Sequence, residues 1–322
     1  MKIRKLQLVG GSSYMVSLPK EWISRFNLKQ GDEIILREFD EFVVIQPQKE
    51  EREEIRVEVS RIPSYDKRFL KRFLGSIYSL GVDRIILQQE GVGKHITEIS
   101  EISHHFIGME VLDCTNDCVV LHIFTIPDFD VITIIKRMYQ ILSGLLEEIE
   151  SNLLAKEPEN METINSRIHR HEEDFDRLYL LSVRLVNRGM KKITISEWDE
   201  LRFMLGSRMI AKFYEEIADI LFILSRYLWE YDIDVRREVH GFIVRLEEAF
   251  RLGFEAFIRS DLVSSQNFIS LVEELTDEIQ ESIDKNQEGT ILKELLIQIC
   301  RMLESVGEIS FNKSVREMVR TY

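Results

Sequence analysis

Residues 212–225 read KFYEEIADILFILS, residues 301–314 read RMLESVGEISFNKS, and the two stretches align without a gap. Upstream of each lies a second matching pair, HEEDFDRL at 171–178 and VEELTDEI at 272–279. Apolar residues recur in these stretches every three to four positions, which predicts amphipathic helices. The C-terminal part of the chain is therefore expected to contain one helical unit twice.

Both repeats carry acidic residues four positions apart at matching places. Residues at this spacing share a helix face, and like charges there destabilise the helix. Each repeat should gather two such pairs on neighbouring helices, where a multivalent cation would relieve the repulsion. Oxygen ligands favour Mg, Mn or Fe, with Zn as a further candidate. The predicted metal ligands are Glu172, Asp176, Glu215 and Asp219 in the first repeat, and Glu273, Asp277, Glu304 and Glu308 in the second.

The acidic pairs also have two interpretations that need no metal. Acids four positions apart arise by chance on the solvated faces of an acidic helical chain, as Asp277 and Glu281 illustrate. Lys212 and Arg301, one turn before the third-helix acids, could neutralise those acids in place of a metal. The sequence leaves both alternatives open.

Helical periodicity extends from about residue 128 to the C-terminus. It predicts six helices at roughly 130–156, 161–188, 196–231, 234–259, 262–284 and 290–318. Six helices with short connections indicate two three-helix bundles, one for each repeat, spanning 128–232 and 233–322.

This region resembles the PhoU family over about 130–322. Members of that family fold as two three-helix bundles whose paired E(D)-x-x-x-D motifs bind metal clusters, and the eight acids named above stand at the motif positions. The final acid is Glu308 instead of the usual Asp, which departs from the family pattern. The resemblance implies a phosphate uptake regulator that acts through partners, commonly the phosphate ABC transporter or its signalling kinase.

The first 50 residues have a different pattern. KIRKLQLV and SYMVSL alternate as strands do, SLPKEWISRF predicts a short helix, and EIILRE and FVVIQP predict two more strands. The order of strand, Leu-Pro, short helix, Leu-x-x-Gly-Asp and strand resembles the AbrB/SpoVT family of swapped-hairpin DNA-binding domains. A piece this small cannot bury a core alone, and the resemblance implies a homodimer that exchanges hairpins.

Charge is unevenly distributed along the chain. The net charge is −14, whereas residues 1–50 hold eight Lys/Arg and seven Asp/Glu. Only this N-terminal piece is therefore a candidate for contact with DNA. The candidate phosphate contacts, which would make affinity depend on salt, are Arg4, Lys5, Lys20 and Arg25. The alternatives are that these are ordinary surface charges and that the domain only dimerises.

Residues 54–126 predict a small α/β unit in the order βαβαββ, with helices on one face of the sheet. Cys114 and Cys118 flank a turn, but their C-x-x-x-C spacing is not that of a zinc knuckle. The predicted multi-domain fold thus has three parts: an AbrB-like β-domain at 1–50, a small α/β linker domain at 51–127, and an all-α PhoU-like pair of three-helix bundles at 128–322.

Composition narrows the function class. Three cysteines are too few for a disulfide framework, and no apolar run approaches the roughly 20 residues of a membrane span. Both features favour the cytoplasm. None of the seven histidines stands in an E-x-x-H arrangement beside the acidic pairs, which argues against a di-metal carboxylate enzyme. The sequence therefore predicts a non-enzymatic, DNA-binding transcriptional regulator of phosphate homeostasis, with a non-DNA-binding dimeric adaptor as the alternative and a di-metal enzyme as a remote one.

Overall fold

The computed structural model describes residues 3–39, 42–48, 54–124, 130–154, 161–190, 198–285 and 287–319. The described residues fall into two compact units. The first ends at residue 48 and the second begins at residue 54.

The first unit contains two antiparallel hairpins and one short helix. Strand β1 (Gln7–Val9) pairs with β2 (Ser13–Met15), helix α1 spans Lys20–Arg25, and β3 (Ile34–Phe39) pairs with β4 (Phe42–Pro47). The predicted order of strands around one helix is confirmed.

The side chains that the structure describes in the first unit enclose no interior. None of these side chains is buried, and several large apolar ones face solvent. Leu8 and Leu36, for example, are 57% and 59% exposed. A two-hairpin unit of this size cannot enclose a core, so its apolar side chains remain available to a partner surface.

The second unit begins with a four-stranded sheet and two helices. Its elements are β5 (Arg56–Val59), α2 (Lys67–Ser79), β6 (Arg84–Gln88), α3 (Ile96–Ser103), β7 (Met109–Cys114) and β8 (Cys118–Ile123). The strand order is β5-β6-β8-β7, with β5 and β6 parallel and the other two pairings antiparallel. The predicted βαβαββ order is confirmed, and Leu70, Leu74, Ile85, Ile99 and Leu121 are buried in its core.

Six long helices complete the second unit. They are α4 (Val131–Leu153), α5 (Met161–Met190), α6 (Trp198–Tyr227), α7 (Ile233–Arg259), α8 (Leu262–Lys285) and α9 (Thr290–Met318). Helices α4–α6 pack as one three-helix group and α7–α9 as another, and the groups meet where α4 contacts α7 and α6 contacts α9. The two predicted three-helix bundles are present. No described helix has both the length and the apolar character that a membrane span requires.

The sheet region is joined to the first bundle where α2 ends. Carbonyl groups in the last turn of a helix lack partners within the helix, and here α5 supplies donors. Arg184 donates to the carbonyl oxygen of Tyr78 at 3.1 Å and Asn187 to that of Ser79 at 2.7 Å. Gly81 turns the chain at φ 80°, and a Cβ atom there would lie 2.5 Å from Cγ of Arg188. Residues 54–124 and the helices therefore pack as one compact unit, while the division into three domains stays a prediction.

Asp83 holds this junction together from the sheet side. Its carboxylate accepts a hydrogen bond from the Ile55 backbone at 3.0 Å and another from Arg188, and it lies 3.6 Å from Arg184. Burial acts to raise the pKa of Asp83, but these hydrogen bonds and the two guanidinium charges hold the pKa below its ordinary value of 3.8. The guanidinium of Arg184, a residue only 2% exposed, also lies 5.0 Å from the centroid of the Tyr78 ring.

Replacing Asp83 by alanine should destabilise the protein strongly. The change leaves Arg184 buried without its carboxylate, and breaking a buried ion pair in this way costs about 3–5 kcal/mol. Because the folded-state pKa of Asp83 is lowered, its contribution is present above the unfolded value near 3.8 and is lost as pH falls below it. Urea denaturation should therefore show a large loss in the free energy of unfolding of Asp83→Ala at pH 7 and a smaller loss under acid conditions.

Lys67→Ala provides the control, because the ion pair of Lys67 with Glu101 is exposed to solvent. Exposed pairs contribute little, so this variant should unfold close to the wild-type midpoint. Equal losses in the two variants would show that the Asp83 junction does not hold the sheet region to the bundle.

Candidate functional site

The predicted DNA contacts all lie on the surface of the first unit. Arg4 and Lys5 precede β1, while Lys20 begins α1 and Arg25 ends it. All four residues are exposed, and within the described part of the chain none forms an ion pair with a carboxylate. Each is therefore available to an external anion.

The two basic residues of α1 do not share one face of the helix. Lys20 and Arg25 are five positions apart, which separates them by about 140° around a helix that advances about 100° per residue. A DNA surface that contacts both would have to meet two sides of α1, or meet α1 from two copies of the chain.

The acidic residues of the first repeat come together between α5 and α6. Asp219 is influenced by the other three, and its pKa is raised to about 6. Burial is the largest cause, followed by the negative charges of Glu215, Asp176 and Glu172, while Lys212 opposes the rise. Asp219 lies at the surface, so solvent screens part of this repulsion. The structure thus brings all four predicted acids of this repeat within electrostatic range.

Two lysines already form ion pairs with acids of this group. Nζ of Lys71, on α2, lies 3.0 Å from Oδ2 of Asp176. Lys212 pairs with Glu215 and lies 3.3 Å from Oε1 of Glu216. Among the side chains that the structure describes, no three His, Cys, Asp or Glu residues are arranged to hold a metal ion. The acids do not fit a metal as they stand, and a metal ion would have to displace both lysines.

The second repeat brings together three of its four predicted acids. Burial raises the pKa of Glu304, the charges of Glu273 and Glu308 raise it further, and Arg301 lowers it. Asp277 lies exposed on α8. Arg301 therefore moderates the charge of this group, which parallels Lys212 in the first repeat.

Sequence patterns did not identify two residues that lie near the first acidic group, the cluster of Glu172, Asp176, Glu215 and Asp219. They are Lys71 and the half-buried His105, and both come from the sheet region. The pKa of His105 is lowered by burial and by the charges of Lys71 and Arg177, against the opposing charges of Glu173 and Asp176. Lys71 is 105 positions from its partner Asp176. No local pattern could have connected them, because the contact depends on how α2 docks on α5.

Replacing Asp219 by asparagine should stabilise the metal-free protein at neutral and higher pH. A carboxyl whose folded pKa is about 6, against an ordinary 3.8, destabilises the fold once it ionises above pH 6. The stabilising effect should shrink as pH falls from 6 towards 4, where the folded wild type carries the proton. Thermal melts across this range measure it.

Asp174→Asn is the matched control for Asp219→Asn. Asp174 is an exposed acid on α5 that lies 3.7 Å from Arg177 and is not among the charges acting on Asp219. If Asp174→Asn gives the same pH-dependent stabilisation, the effect comes from the net charge of the chain and not from the acidic group.

Comparison with known proteins identifies a similarity in the first unit. Residues 7–53 match the family described as antidote-toxin recognition MazE, bacterial antitoxin. No curated protein matches the chain. The family match coincides with the two hairpins and the short helix described above. It supports an N-terminal domain of the MazE and AbrB type.

Proposed function

We propose that this chain is a cytoplasmic transcriptional regulator of phosphate homeostasis that binds DNA through its N-terminal domain as a dimer. The observation that carries the proposal is the domain of the MazE and AbrB type at 7–53, which presents exposed basic residues without carboxylate partners among the described residues. Domains of this type typically bind DNA and dimerise. The second unit, which carries the acidic repeats, would regulate that binding.

Dimerisation is supported by the exposed apolar side chains of the first unit. Ile3, Leu6, Leu8, Tyr14 and Leu36 are each more than half exposed. Burying such side chains against a second copy would supply the core that one copy lacks, since each buried apolar side chain contributes roughly 1.5–3 kcal/mol. A dimer would also present two copies of each basic residue, which increases the attraction to phosphates.

The role in phosphate homeostasis rests on the acidic repeats and their resemblance to the PhoU family. Control through the phosphate transporter or its signalling kinase belongs to the same proposal. A cation site is supported by the negative charges of Glu215, Asp176 and Glu172, which act on Asp219 and which Lys212 only partly opposes. The ion pairs of Lys71 and Lys212 with these acids argue against a cation site. The proposed regulation therefore does not depend on a bound metal. The proposal assigns no catalytic role to the chain.

The DNA part of the proposal is tested by gel shift on the chain's own upstream region at two salt concentrations. Binding should weaken steeply with salt, because Lys and Arg release counterions from the backbone. Lys20→Gln/Arg25→Gln should weaken binding on all sequences and lower the salt slope by about 0.9 for each phosphate contact removed. Lys29→Gln, an exposed lysine of the same unit, should change binding less.

The adaptor alternative predicts a different result in the same samples. A dimer that does not bind DNA even at low salt would refute the regulator proposal. Sedimentation measures the oligomeric state independently of DNA binding. Leu36→Lys should give a monomer because it places a charge on the apolar surface. Leu112→Lys, on a β7 leucine that is 52% exposed, should remain dimeric.

The cation site is tested by elemental analysis of the purified protein. If the first acidic group binds a metal, Glu172→Ala/Asp176→Ala/Glu215→Ala should lose it. Glu173→Ala/Asp174→Ala/Glu216→Ala removes three other acids from the same two helices and should retain the metal. Equal metal content in the wild type and the first variant would refute a metal site here. The acids would then serve only to form ion pairs with the two lysines.

A further inference from the structure

A concave site lies where α2 meets α5 and α6, beside the acidic residues of the first repeat. Its volume is about 510 Å³. This is within the range of roughly 300–1,000 Å³ that is usual for small-molecule pockets. Its lining includes Lys71, Arg72, Tyr179, Leu180, Val183 and Arg208.

The site is rich in cations although the chain as a whole is acidic. Lys71, Arg72 and Arg208 all line it, whereas the chain carries a net charge of −14. Among the described residues Arg72 has no carboxylate within ion-pair distance. Arg208 donates to the side-chain oxygen of Asn187, at 3.3 Å. Two guanidinium groups are therefore available to an oxyanion, which arginine binds through paired hydrogen bonds.

Part of the lining is apolar and aromatic. Tyr179 and Leu180 are half-buried, and Val183 is buried. Lys212 lies 5.4 Å from the centroid of the Tyr179 ring. An inorganic anion alone would leave this apolar wall and most of the volume unused. A ligand with both an anionic group and a flat apolar part would use both.

Hydrogen bonds hold Arg208 and the end of α2 in place at this site. Asn187 donates to the Ser79 carbonyl oxygen at 2.7 Å, and its own side-chain oxygen orients Arg208. Ser76 and Ser79 donate to the carbonyl oxygens of Arg72 and Ser76, which leaves their hydroxyl oxygens as acceptors. Because Arg208 is already held, it loses less conformational entropy when it binds a ligand.

We propose that this pocket binds a nucleotide: a phosphorylated small molecule with a flat aromatic ring whose faces pack against apolar side chains. The phosphoryl group binds Arg72 and Arg208 with Lys71 nearby, and the ring packs against Tyr179, Leu180 and Val183. This goes beyond the proposed DNA regulation and stands without it, because every residue of the pocket belongs to the second unit. Lys71 also pairs with Asp176, so the ligand and the acidic group compete for the same ammonium.

Calorimetric titration of the full-length, metal-free protein with AMP, ATP and inorganic phosphate tests the proposal. Both nucleotides should bind, and phosphate should bind at least about tenfold more weakly because it cannot use the apolar wall. Arg72→Gln and Arg208→Gln should each weaken nucleotide binding about tenfold or more, since each removes a charge-assisted hydrogen bond.

Arg68→Gln is the matched control, because Arg68 is an exposed arginine of α2 that does not line the pocket. It should leave nucleotide affinity within about twofold of the wild type. Absence of nucleotide binding at millimolar concentration, equal affinity for phosphate and AMP, or equal weakening by Arg68→Gln and Arg72→Gln would each overturn the proposal. DNA binding is measured separately, so failure here leaves the regulator proposal untouched.

Discussion

The contact of Asp83 with Arg184 and Arg188 is the constraint on which the second unit depends. It places the end of α2 against α5, where Arg184 and Asn187 satisfy carbonyl groups that the helix cannot satisfy itself. A buried arginine is tolerated only with a partner, so the sheet region and the first bundle cannot separate without a large cost in free energy. The small α/β region therefore packs with the helices in one compact unit.

Several features of the molecule follow from that docking. Because α2 lies along α5, Lys71 reaches Asp176 and joins the acidic group of the first repeat. The same approach creates the pocket between α2, α5 and α6, whose cations come from both sides of the junction. The first acidic group and the pocket thus share one lysine. The second repeat has no described counterpart of α2, and only its own Arg301 moderates the charge on Glu304.

The two units of the chain solve different physical problems. The helical unit buries its apolar residues thoroughly, with side chains such as Ile217, Leu221 and Leu303 almost completely enclosed. The N-terminal unit buries none of its described residues and presents apolar and basic side chains together. A surface of that composition suits a partner copy and a polyanion, which agrees with the family match at 7–53.

The spacing of apolar residues predicted the order of the helices and strands, because apolar residues must face either a core or a partner surface. It also predicted that acids four positions apart share a helix face, and Asp219 does interact with Glu172, Asp176 and Glu215. Lys71, His105 and the pocket could not be predicted, since they depend on contacts between segments about a hundred residues apart. Sequence spacing determined which charges lie on one helix. Only the tertiary structure decided which charges face them, because the docking of α2 on α5 determines which side chains lie next to the carboxylates of the first repeat.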